Sequence, residues 1–162
     1  MYDKQGLYDL LDEKGIEYEA IEHGAVYTME EMEALGLPHN DRIAKNLFLR
    51  DEKKRNYYVI VLKGDKAMNI KALREKIGAK PLSFGSEPDL MKILGLEKGA
   101  VTPFGALNDS EKKTIIYLDK DFQGGLMGIH PNDNTATVFI RAEDLAKLLK
   151  DDGHKVNFLQ WP

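Results

Sequence analysis

Lys45 is the residue whose type and place most suggest chemistry. It interrupts the segment Ala44–Leu49, which otherwise has the apolar character of a buried strand. A lysine in such a place either extends its ammonium group to solvent or presents it to a cleft, and a compact cation with three donors suits a phosphate or a polarised carbonyl. The side chain of Asn46 points to the opposite face of a regular strand, so the two residues need not share a site. A solvated lysine without a role is the alternative.

A second candidate is the loop formed by Gly99, Ala100, Val101, Thr102 and Pro103, called here the Gly99–Pro103 loop. Glycine and proline fix the backbone of a turn, and the small side chains between them let a ligand approach main-chain groups closely. Amides and carbonyls in such a loop could orient a water molecule or an acyl group. An ordinary connection between a helix and a strand is the alternative.

His130 is the third candidate, because it stands directly before a turn and a strand, where loops often present functional side chains. A structural histidine is the alternative. The four histidines (His23, His39, His130 and His154) show no ligand-like spacing. The sequence also has no phosphate-binding glycine loop and no metalloprotease or serine-hydrolase motif. We therefore expect no metal and no cofactor.

These three segments have to be positioned by helices and strands together. Apolar spacing, capping residues and terminal glycines predict helices near residues 7–11, 28–35, 69–77, 86–95 and 142–150. Runs rich in β-branched and aromatic residues predict strands at residues 16–23, 44–49, 57–62, 114–118, 135–140 and 156–159, the second and third joined as a hairpin. The pattern predicts an α/β (α+β) fold: a single compact domain over residues 1–162, with a mixed, mostly antiparallel sheet flanked by helices.

Composition supports one globular domain and excludes several classes of protein. The 162 residues are 43% hydrophobic and 31% charged, a balance too apolar for a disordered chain. Cysteine is absent, which excludes disulfides, thiolate metal sites and a cysteine nucleophile. No stretch approaches the roughly 18 consecutive apolar residues of a membrane span, and the first residues show no signal-peptide pattern. We therefore expect a cytoplasmic protein with no membrane partner.

Charge is distributed unevenly along the chain. The formal net charge is −4, but the segment from Arg42 to Lys80 carries +8 and the remainder carries −12. This asymmetry predicts one phosphate-contacting face on an acidic body, whereas charges that only solvate the surface are the alternative. Lys63 and Lys66 are the favoured phosphate contacts, because they follow a strand expected to lie beside Lys45.

Taken together, these segments resemble one family. The order of Thr28–Glu31, Lys45–Leu49, the Gly-x-x-x-Pro sequence at Gly99–Pro103 and then His130 is similar to that of the YbaK/prolyl-tRNA-synthetase-associated editing domains. The similarity covers roughly residues 6–159 and is greatest to the free-standing prolyl-tRNA editing members, which deacylate alanyl-tRNA(Pro). Each motif alone is weak, but their order and spacing together are fairly specific.

The resemblance implies a compact YbaK-like α/β domain that hydrolyses a mischarged aminoacyl ester at the 3′ end of tRNA. It implies that Lys45 is the central catalytic or binding lysine, and that the Gly99–Pro103 loop, with Gly99 as a catalytic residue, and His130 line the acyl pocket and help to place the water. It also implies that a hydroxyl of the terminal ribose assists, which suits a sequence without an obvious general base. Together with the basic segment, the expected substrate-binding residues are Thr28, Asn46, Ala100, Val101, Thr102, Pro103, Lys63 and Lys66.

The leading prediction is therefore an alanyl-tRNA(Pro) deacylase that acts in trans on the acceptor end of tRNA(Pro), with prolyl-tRNA synthetase as a further candidate partner. A cysteinyl-tRNA(Pro) deacylase and a non-catalytic module that binds tRNA ends and regulates a partner both stay open. One methylene is worth only ~1–3 kcal/mol in a binding pocket, and the sequence does not show the pocket volume. Lys45 combined with the Gly99–Pro103 loop favours an enzyme, because a pure binder needs the charge but not a water-positioning loop.

Overall fold

Two β-sheets that share one hydrophobic core organise the molecule. The computed structural model describes residues 1–64 and 66–161. The helices in these ranges are α1 (Lys4–Glu13), α2 (Met29–Ala34), α3 (Ile70–Ile77), α4 (Glu87–Leu94) and α5 (Ala142–Asp151). The strands are β1 (Tyr18–Glu22), β2 (Ala44–Asp51), β3 (Tyr57–Lys63), β4 (Leu82–Phe84), β5 (Thr114–Asp119), β6 (Leu126–Ile129), β7 (Ala136–Arg141) and β8 (Lys155–Leu159).

The larger sheet has five strands in the order β4-β2-β3-β5-β8. The predicted hairpin is confirmed, since β2 and β3 pair antiparallel with Ala44 opposite Lys63. The buried carboxylate of Asp51 closes the hairpin by accepting hydrogen bonds from the backbone N–H of Arg55 (2.8 Å) and from Nδ2 of Asn56 (3.0 Å). β5 then pairs in parallel with both β3 and β8, so this sheet is mixed.

The smaller sheet has three antiparallel strands in the order β1-β7-β6. The predicted mixed, mostly antiparallel architecture is confirmed, but it is divided between two sheets. β4 and β6 are additional strands that the sequence did not predict. Leu82–Phe84 is only three residues long, and Gly128 interrupts the apolar run of Leu126–Ile129, so neither segment has a recognisable strand pattern.

Capping residues start the helices that surround the sheets. Thr28, Asn69 and Ser86 each accept a hydrogen bond from the backbone N–H three residues later, at the beginnings of α2, α3 and α4. These three helix starts agree with the sequence prediction. Among residues 1–64 and 66–161, none of the helices combines the length and the apolar character needed to cross a bilayer.

Three apolar clusters hold these elements together. The largest lies between the two sheets and joins residues such as Leu11 of α1, Val59 of β3 and Val138 of β7. The other face of the five-stranded sheet is covered by α3 and by Trp161. The other face of the three-stranded sheet is covered by α2 through Met32. The helix α2 is therefore packed close to the point where the two sheets meet.

Candidate functional site

β2 has an open edge at Asn46, in the gap between the two sheets. The odd-numbered residues of β2 form the hydrogen bonds to β3, in register with the bond from Gly64 N to Ile43 O (3.1 Å) just before the strand. The backbone N–H and C=O of Asn46 therefore point away from β3. On that side β4 lies opposite only Leu49–Asp51, and β6 meets this segment only through a bridge between Ile43 and Gly128. No strand of the described chain lies opposite Asn46.

A cavity of about 240 Å³ opens at this edge. Its walls come from α2 and the residues before it, the start of β2, the Gly99–Pro103 loop, and the neighbouring parts of β6 and β7. Within the described residues, its lining carries one lysine and no carboxylate. The lining residues are Val26, Tyr27, Thr28, Met29, Met32, Ile43, Ala44, Lys45, Asn46, Gly99, Val101, Gly128, Ile129, His130 and Thr137.

Lys45 and Asn46 both line the cavity although they lie on opposite faces of β2. Leu47 and Leu49, on the face of Lys45, pack in the cluster under α3, whereas Phe48, on the face of Asn46, packs in the central core. The cavity reaches both side chains because it lies at the edge of the strand and not on one face. The structure therefore brings together two residues that regular strand geometry had left apart.

The protein leaves polar groups of both residues without partners. The ammonium group of Lys45 makes no ion pair and no hydrogen bond with residues 1–64 and 66–161. Oδ1 of Asn46 is buried and has no hydrogen-bond partner in the same part of the chain. Most buried polar groups in folded proteins have a hydrogen-bond partner, so the oxygen of Asn46 makes this edge a candidate place for a ligand to bind.

Gly99 places the Gly99–Pro103 loop in the cavity wall with a backbone conformation that suits glycine. Its φ angle is +90°, and a Cβ atom at this position would stand 2.7 Å from Cδ1 of Tyr27. The backbone N–H groups of Gly99 and Val101 donate no hydrogen bond within the described chain, and both residues line the cavity. Free amides at a cavity wall can bind the oxygen of a carbonyl group.

Ala100, Thr102 and Pro103 do not line the cavity. Ala100 is buried, and its N–H donates to the carbonyl oxygen of Glu97 (3.1 Å). Thr102 is fully buried, and its Oγ1 caps the short 3₁₀-helix that begins at Pro103 by accepting from the N–H of Phe104 (3.4 Å). These three residues fix the shape of the loop from behind. That they bind substrate directly stays a prediction.

His130 follows β6 directly and presents a neutral ring at the cavity. Its Nδ1 lies 2.8 Å from the carbonyl oxygen of Ala136, and since a carbonyl only accepts, Nδ1 carries the hydrogen. Burial lowers the pKa of His130, and the nearby ring of His23 acts in the same direction, so the imidazole is neutral near pH 7. Nε2 has no partner among the described residues and can accept a hydrogen bond from water.

Two threonines of the lining are held by hydrogen bonds. Oγ1 of Thr28 accepts from the N–H of Glu31 (3.1 Å) and donates to its Oε1 (3.3 Å). Oγ1 of Thr137 lies 2.8 Å from Nε2 of His23, whose Nδ1 donates to the carbonyl oxygen of Gly24. Thr137 is only 1% exposed, so its hydroxyl anchors the wall. Thr28 lies at the cavity as predicted, but as the cap of α2.

Lys63 and Lys66 do not line the cavity. The ammonium group of Lys66 lies 3.0 Å from Oδ1 of Asp119, 2.6 Å from Oδ2 of Asp121 and 3.0 Å from the carbonyl oxygen of Trp161. Lys63 lies opposite the lining residue Ala44 in the hairpin, and its N–H donates to the same Asp119 (2.9 Å). The charge of Lys66 is thus balanced by carboxylates of the protein, and the predicted phosphate contacts of Lys63 and Lys66 stay predictions.

The cavity offers groups for binding an ester and orienting water. Residues 1–64 and 66–161 contain no cluster of three or more His, Asp or Glu side chains arranged to hold a metal ion. The lining contains the ammonium group of Lys45 and the backbone amides of Gly99 and Val101, none of which has a partner in the described part of the chain, together with the neutral imidazole of His130. Such a set stabilises negative charge on a carbonyl oxygen without a covalent nucleophile.

Comparison with known proteins decides the family. The aminoacyl-tRNA editing domain family matches residues 23–148, more than half of the chain. The chain belongs to this family. Lys45, Gly99 and His130 all lie inside the matched range. The resemblance found in the sequence is confirmed, and with it the predicted enzyme class, an aminoacyl-tRNA deacylase.

Relatives of this editing domain match along most of their length. The prolyl-tRNA editing protein ProX of Acetoanaerobium sticklandii is 47% identical over 152 residues, which cover 93% of each chain. The prolyl-tRNA synthetase associated domain-containing protein 1 of Danio rerio is 33% identical over 158 residues, covering 93% of this chain and 83% of the relative. A crystal structure of a candidate trans-editing enzyme for prolyl tRNA synthetase shares the fold, with a TM-score of 0.73, 21% identity, and coverage of 98% and 97% of the two chains.

Several residues of the site were not predicted from the sequence. Met29 and Met32 of α2 follow ordinary helical spacing, so nothing distinguishes them from core residues. Thr137 stands in a β-branched run that is typical of a buried strand. Tyr27 precedes the Thr28 cap, and only its large exposed side chain, 65% accessible in the structure, marks it as unusual.

Proposed function

We propose that this protein hydrolyses the ester bond of alanyl-tRNA(Pro), releasing alanine and free tRNA(Pro). The observation that carries the proposal is a small cavity, lined within the described residues by one unpaired lysine and no carboxylate, in an aminoacyl-tRNA editing domain. The relative from Acetoanaerobium sticklandii is named a prolyl-tRNA editing protein, which supports mischarged tRNA(Pro) as the substrate of a free-standing editing enzyme.

The size of the cavity supports a small acyl group. Its volume of about 240 Å³ falls below the ~300–1,000 Å³ of common ligand pockets. Backbone at Gly99 and the buried side chains of Ile43 and Ile129 form walls that do not yield easily, and overpacking such walls costs more than leaving out a methylene. We therefore expect the cavity to accept an alanyl group and its walls to exclude the ring of a prolyl group.

The hydrolysis we propose uses water directly. The water oxygen forms a bond to the ester carbonyl carbon, the bond from that carbon to the ribose oxygen breaks, and the ribose oxygen takes up a proton. The amides of Gly99 and Val101 bind the carbonyl oxygen while negative charge develops on it. Nε2 of His130 accepts a hydrogen bond from the water, and the neighbouring ribose hydroxyl assists. An ester is reactive enough for positioning and electrostatics to suffice.

Lys45 acts in this scheme as the fixed positive charge of the site. Its ammonium group binds the phosphate of the terminal nucleotide and so holds the ester over the cavity. A lysine that was already paired could not do this without breaking an ion pair, and Lys45 has no such partner among residues 1–64 and 66–161.

The start of α3 extends this positive surface. Lys45 shares its face of β2 with Leu47, which packs in the cluster covered by α3. β3 ends at Lys63, opposite Ala44 at the cavity, and α3 begins at Ile70 shortly afterwards. Lys71, in the first turn of α3, is therefore at the end of the sheet where the cavity lies. It is exposed and can meet a phosphate of the acceptor end.

A cysteinyl-tRNA(Pro) deacylase is the second candidate, because a cysteinyl group is only slightly larger than an alanyl group and the cavity volume does not separate them. A non-catalytic tRNA-end binder is a weaker candidate, since it needs Lys45 but neither the free amides nor a neutral His130. The name of the Danio rerio relative supports prolyl-tRNA synthetase as a partner. We also place the protein in the cytoplasm, together with that synthetase.

The function is tested by incubating the protein with alanyl-, cysteinyl- and prolyl-tRNA(Pro) and measuring the loss of each ester over time. We expect rapid loss of the alanyl ester and none of the prolyl ester above the uncatalysed rate. Faster hydrolysis of the cysteinyl ester would transfer the assignment to the second candidate. Binding of all three without hydrolysis would support the non-catalytic module.

A further inference from the structure

Tyr27 is an aromatic residue held at the mouth of the cavity with most of its surface exposed. Its side chain is 65% accessible, and the residue lines the cavity. The Cδ1–Cε1 edge of its ring lies close to Gly99, because a Cβ on that glycine would stand 2.7 Å from Cδ1 and 3.3 Å from Cε1. The ring thus rests with one edge near the backbone of the Gly99–Pro103 loop while most of its surface stays exposed.

The chemistry of the substrate requires something at this mouth. The ester is carried by the terminal ribose, and the same ribose carries a nucleobase. If the acyl group enters the cavity, the ribose lies at the mouth and its base lies against the rim. Within the described residues, the lining contains two aromatic rings, Tyr27 and His130, and His130 is largely buried. Tyr27 is therefore the ring that the base can reach.

We infer that Tyr27 is a stacking platform for the terminal nucleobase of the tRNA, and so a positioning residue for the hydrolysis. This inference rests on the proposed function. A base of any identity offers a flat π surface, so the platform recognises that a base is present without reading its sequence. Together, Lys45 on the phosphate and Tyr27 on the base fix the terminal nucleotide from two sides, which orients the ester towards Gly99 and Val101.

The test is a cycle of changes in the protein and in the substrate. Two short acceptor-stem RNAs carry the alanyl ester on their terminal ribose, one with its base and one with the base removed. For the wild type, removal of the base lowers kcat/KM by about 5- to 100-fold, the range of one aromatic stacking contact. For Tyr27→Ala, kcat/KM falls by a similar factor with the intact RNA, and removal of the base changes it less than about twofold.

Two variants serve as controls. Tyr27→Phe keeps the ring and retains the dependence on the base. Phe84→Ala removes another exposed ring (58% accessible), which stands on β4 and does not line the cavity, and it behaves as the wild type. Because Tyr27 is mostly exposed, Tyr27→Ala folds normally, and thermal unfolding of each variant checks this.

A binding measurement separates this inference from the proposed hydrolysis. Uncharged acceptor-stem RNA with 2-aminopurine as its terminal base loses fluorescence when that base stacks. We expect quenching by the wild type and by Tyr27→Phe, and none by Tyr27→Ala at saturating protein.

Quenching by a protein that does not hydrolyse the alanyl ester would contradict the proposed function but support the platform. Hydrolysis by a Tyr27→Ala variant that stays as sensitive to the base as the wild type would overturn the platform. A changed ratio of alanyl to prolyl hydrolysis, with unchanged base sensitivity, would overturn it too, since the ring would then be a wall of the acyl pocket.

Discussion

Lys45 is the residue on which the proposed chemistry depends most. Replacing it by alanine removes the cation that holds the terminal phosphate, and we expect kcat/KM for alanyl-tRNA(Pro) to fall by about 10- to 100-fold, as for loss of one hydrogen bond to a charged group. Stability should stay within about 0.5 kcal/mol, because the side chain has no partner among the described residues. Lys45→Arg should also be impaired, since a planar fork does not replace a compact ammonium group.

Single-turnover deacylation and urea unfolding of the three proteins check this prediction. A Lys45→Ala variant that folds and turns over near the wild-type rate would remove Lys45 from the site.

The ionisation of His130 makes the deacylation rate depend on pH. Burial lowers the pKa of His130 below the usual value of about 6.5, the hydrogen bond to Ala136 opposes that shift, and His23 adds to it. The neutral ring is the active form, so the deacylation rate falls as the pH drops through the lowered pKa. The stability contribution has the same direction, because it is complete above the unfolded pKa of about 6.5 and is lost as the pH falls towards the folded value.

Rates measured between pH 5 and pH 8 for the wild type and for His130→Gln test this dependence, with the background hydrolysis of the ester subtracted. The wild type should lose activity on the acidic side, whereas the variant should be slower with a flat profile. An acidic limb of equal size in both proteins would assign the titration to another group.

The Gly99–Pro103 loop and the residues before α2 together form one wall of the cavity. Gly99→Ala would put a side chain at a residue whose φ angle is +90°, with its Cβ 2.7 Å from Cδ1 of Tyr27. Gly78→Ala is a matched control, because Gly78 also has a positive φ (+68°) but nothing within 4 Å of an added Cβ. Each substitution should cost about 1–2 kcal/mol of stability.

Only Gly99→Ala should lower the rate of alanyl-tRNA(Pro) hydrolysis, by about tenfold or more, because it alone displaces the wall. Urea unfolding and deacylation measured in parallel separate the two effects. Equal loss of activity in both variants would show that the rate follows general stability.

Lys66 forms an ion pair with Asp119 and donates a hydrogen bond to the carbonyl oxygen of Trp161, near the end of the chain. Its partner Asp119 has a fully buried side chain, while Lys66 itself is 18% exposed. Lys66→Ala leaves that carboxylate without its cation, and we expect a loss of about 2–3 kcal/mol, moderated by the backbone N–H of Lys63 and Asp121 that still donate to Asp119.

Lys63→Ala is the control, since its ammonium group makes no ion pair within the described chain, and its stability should change by about 0.5 kcal/mol or less. Urea denaturation measures both. If the two variants unfold alike, Asp119 is stabilised by its backbone contacts alone.

Much of this element structure could be predicted from the sequence, because it depends on local chemistry. The caps at Thr28, Asn69 and Ser86 and the β2–β3 hairpin are each specified by a few neighbouring residues. The edge at Asn46 could not be predicted, since it exists only because β4 stops short of it and β6 belongs to the other sheet.

The same distinction applies to the site. The sequence indicated Lys45, Gly99 and His130, and the structure places all three around one cavity. It also suggested Lys66, whose pairing with Asp119 comes from a strand 53 residues further along the chain. A free lysine and a lysine paired with a carboxylate look alike in the sequence, because the pairing depends on long-range contacts. The net charge of the basic segment is therefore larger than the charge available to a substrate.

Two lysines test where tRNA lies on the molecule as a whole. Lys71 stands at the end of the sheet that holds the cavity, whereas Lys53 in the hairpin turn is eight residues beyond Lys45, about 25 Å away at ~3.3 Å per residue. Lys71→Ala should raise KM for alanyl-tRNA(Pro) and reduce the slope of log KM against log salt by about one unit, with kcat unchanged. Lys53→Ala should leave both quantities as in the wild type.

Steady-state rates at several salt concentrations measure these slopes. An effect of Lys53 equal to that of Lys71 would mean that the charged segment attracts tRNA without placing it.

The proposed function depends on selectivity for a small acyl group, which is measured by the ratio of single-turnover deacylation rates for alanyl- and prolyl-tRNA(Pro). The two substrates share the same tRNA, so the ratio, with each rate divided by the uncatalysed rate of that ester, reports the fit of the acyl group to the cavity beside Gly99, Ile43 and Ile129. We expect the wild type to hydrolyse the alanyl ester at least about 100-fold faster than the prolyl ester, since a rigid wall excludes a larger group strongly. Equal rates on the two esters would contradict it.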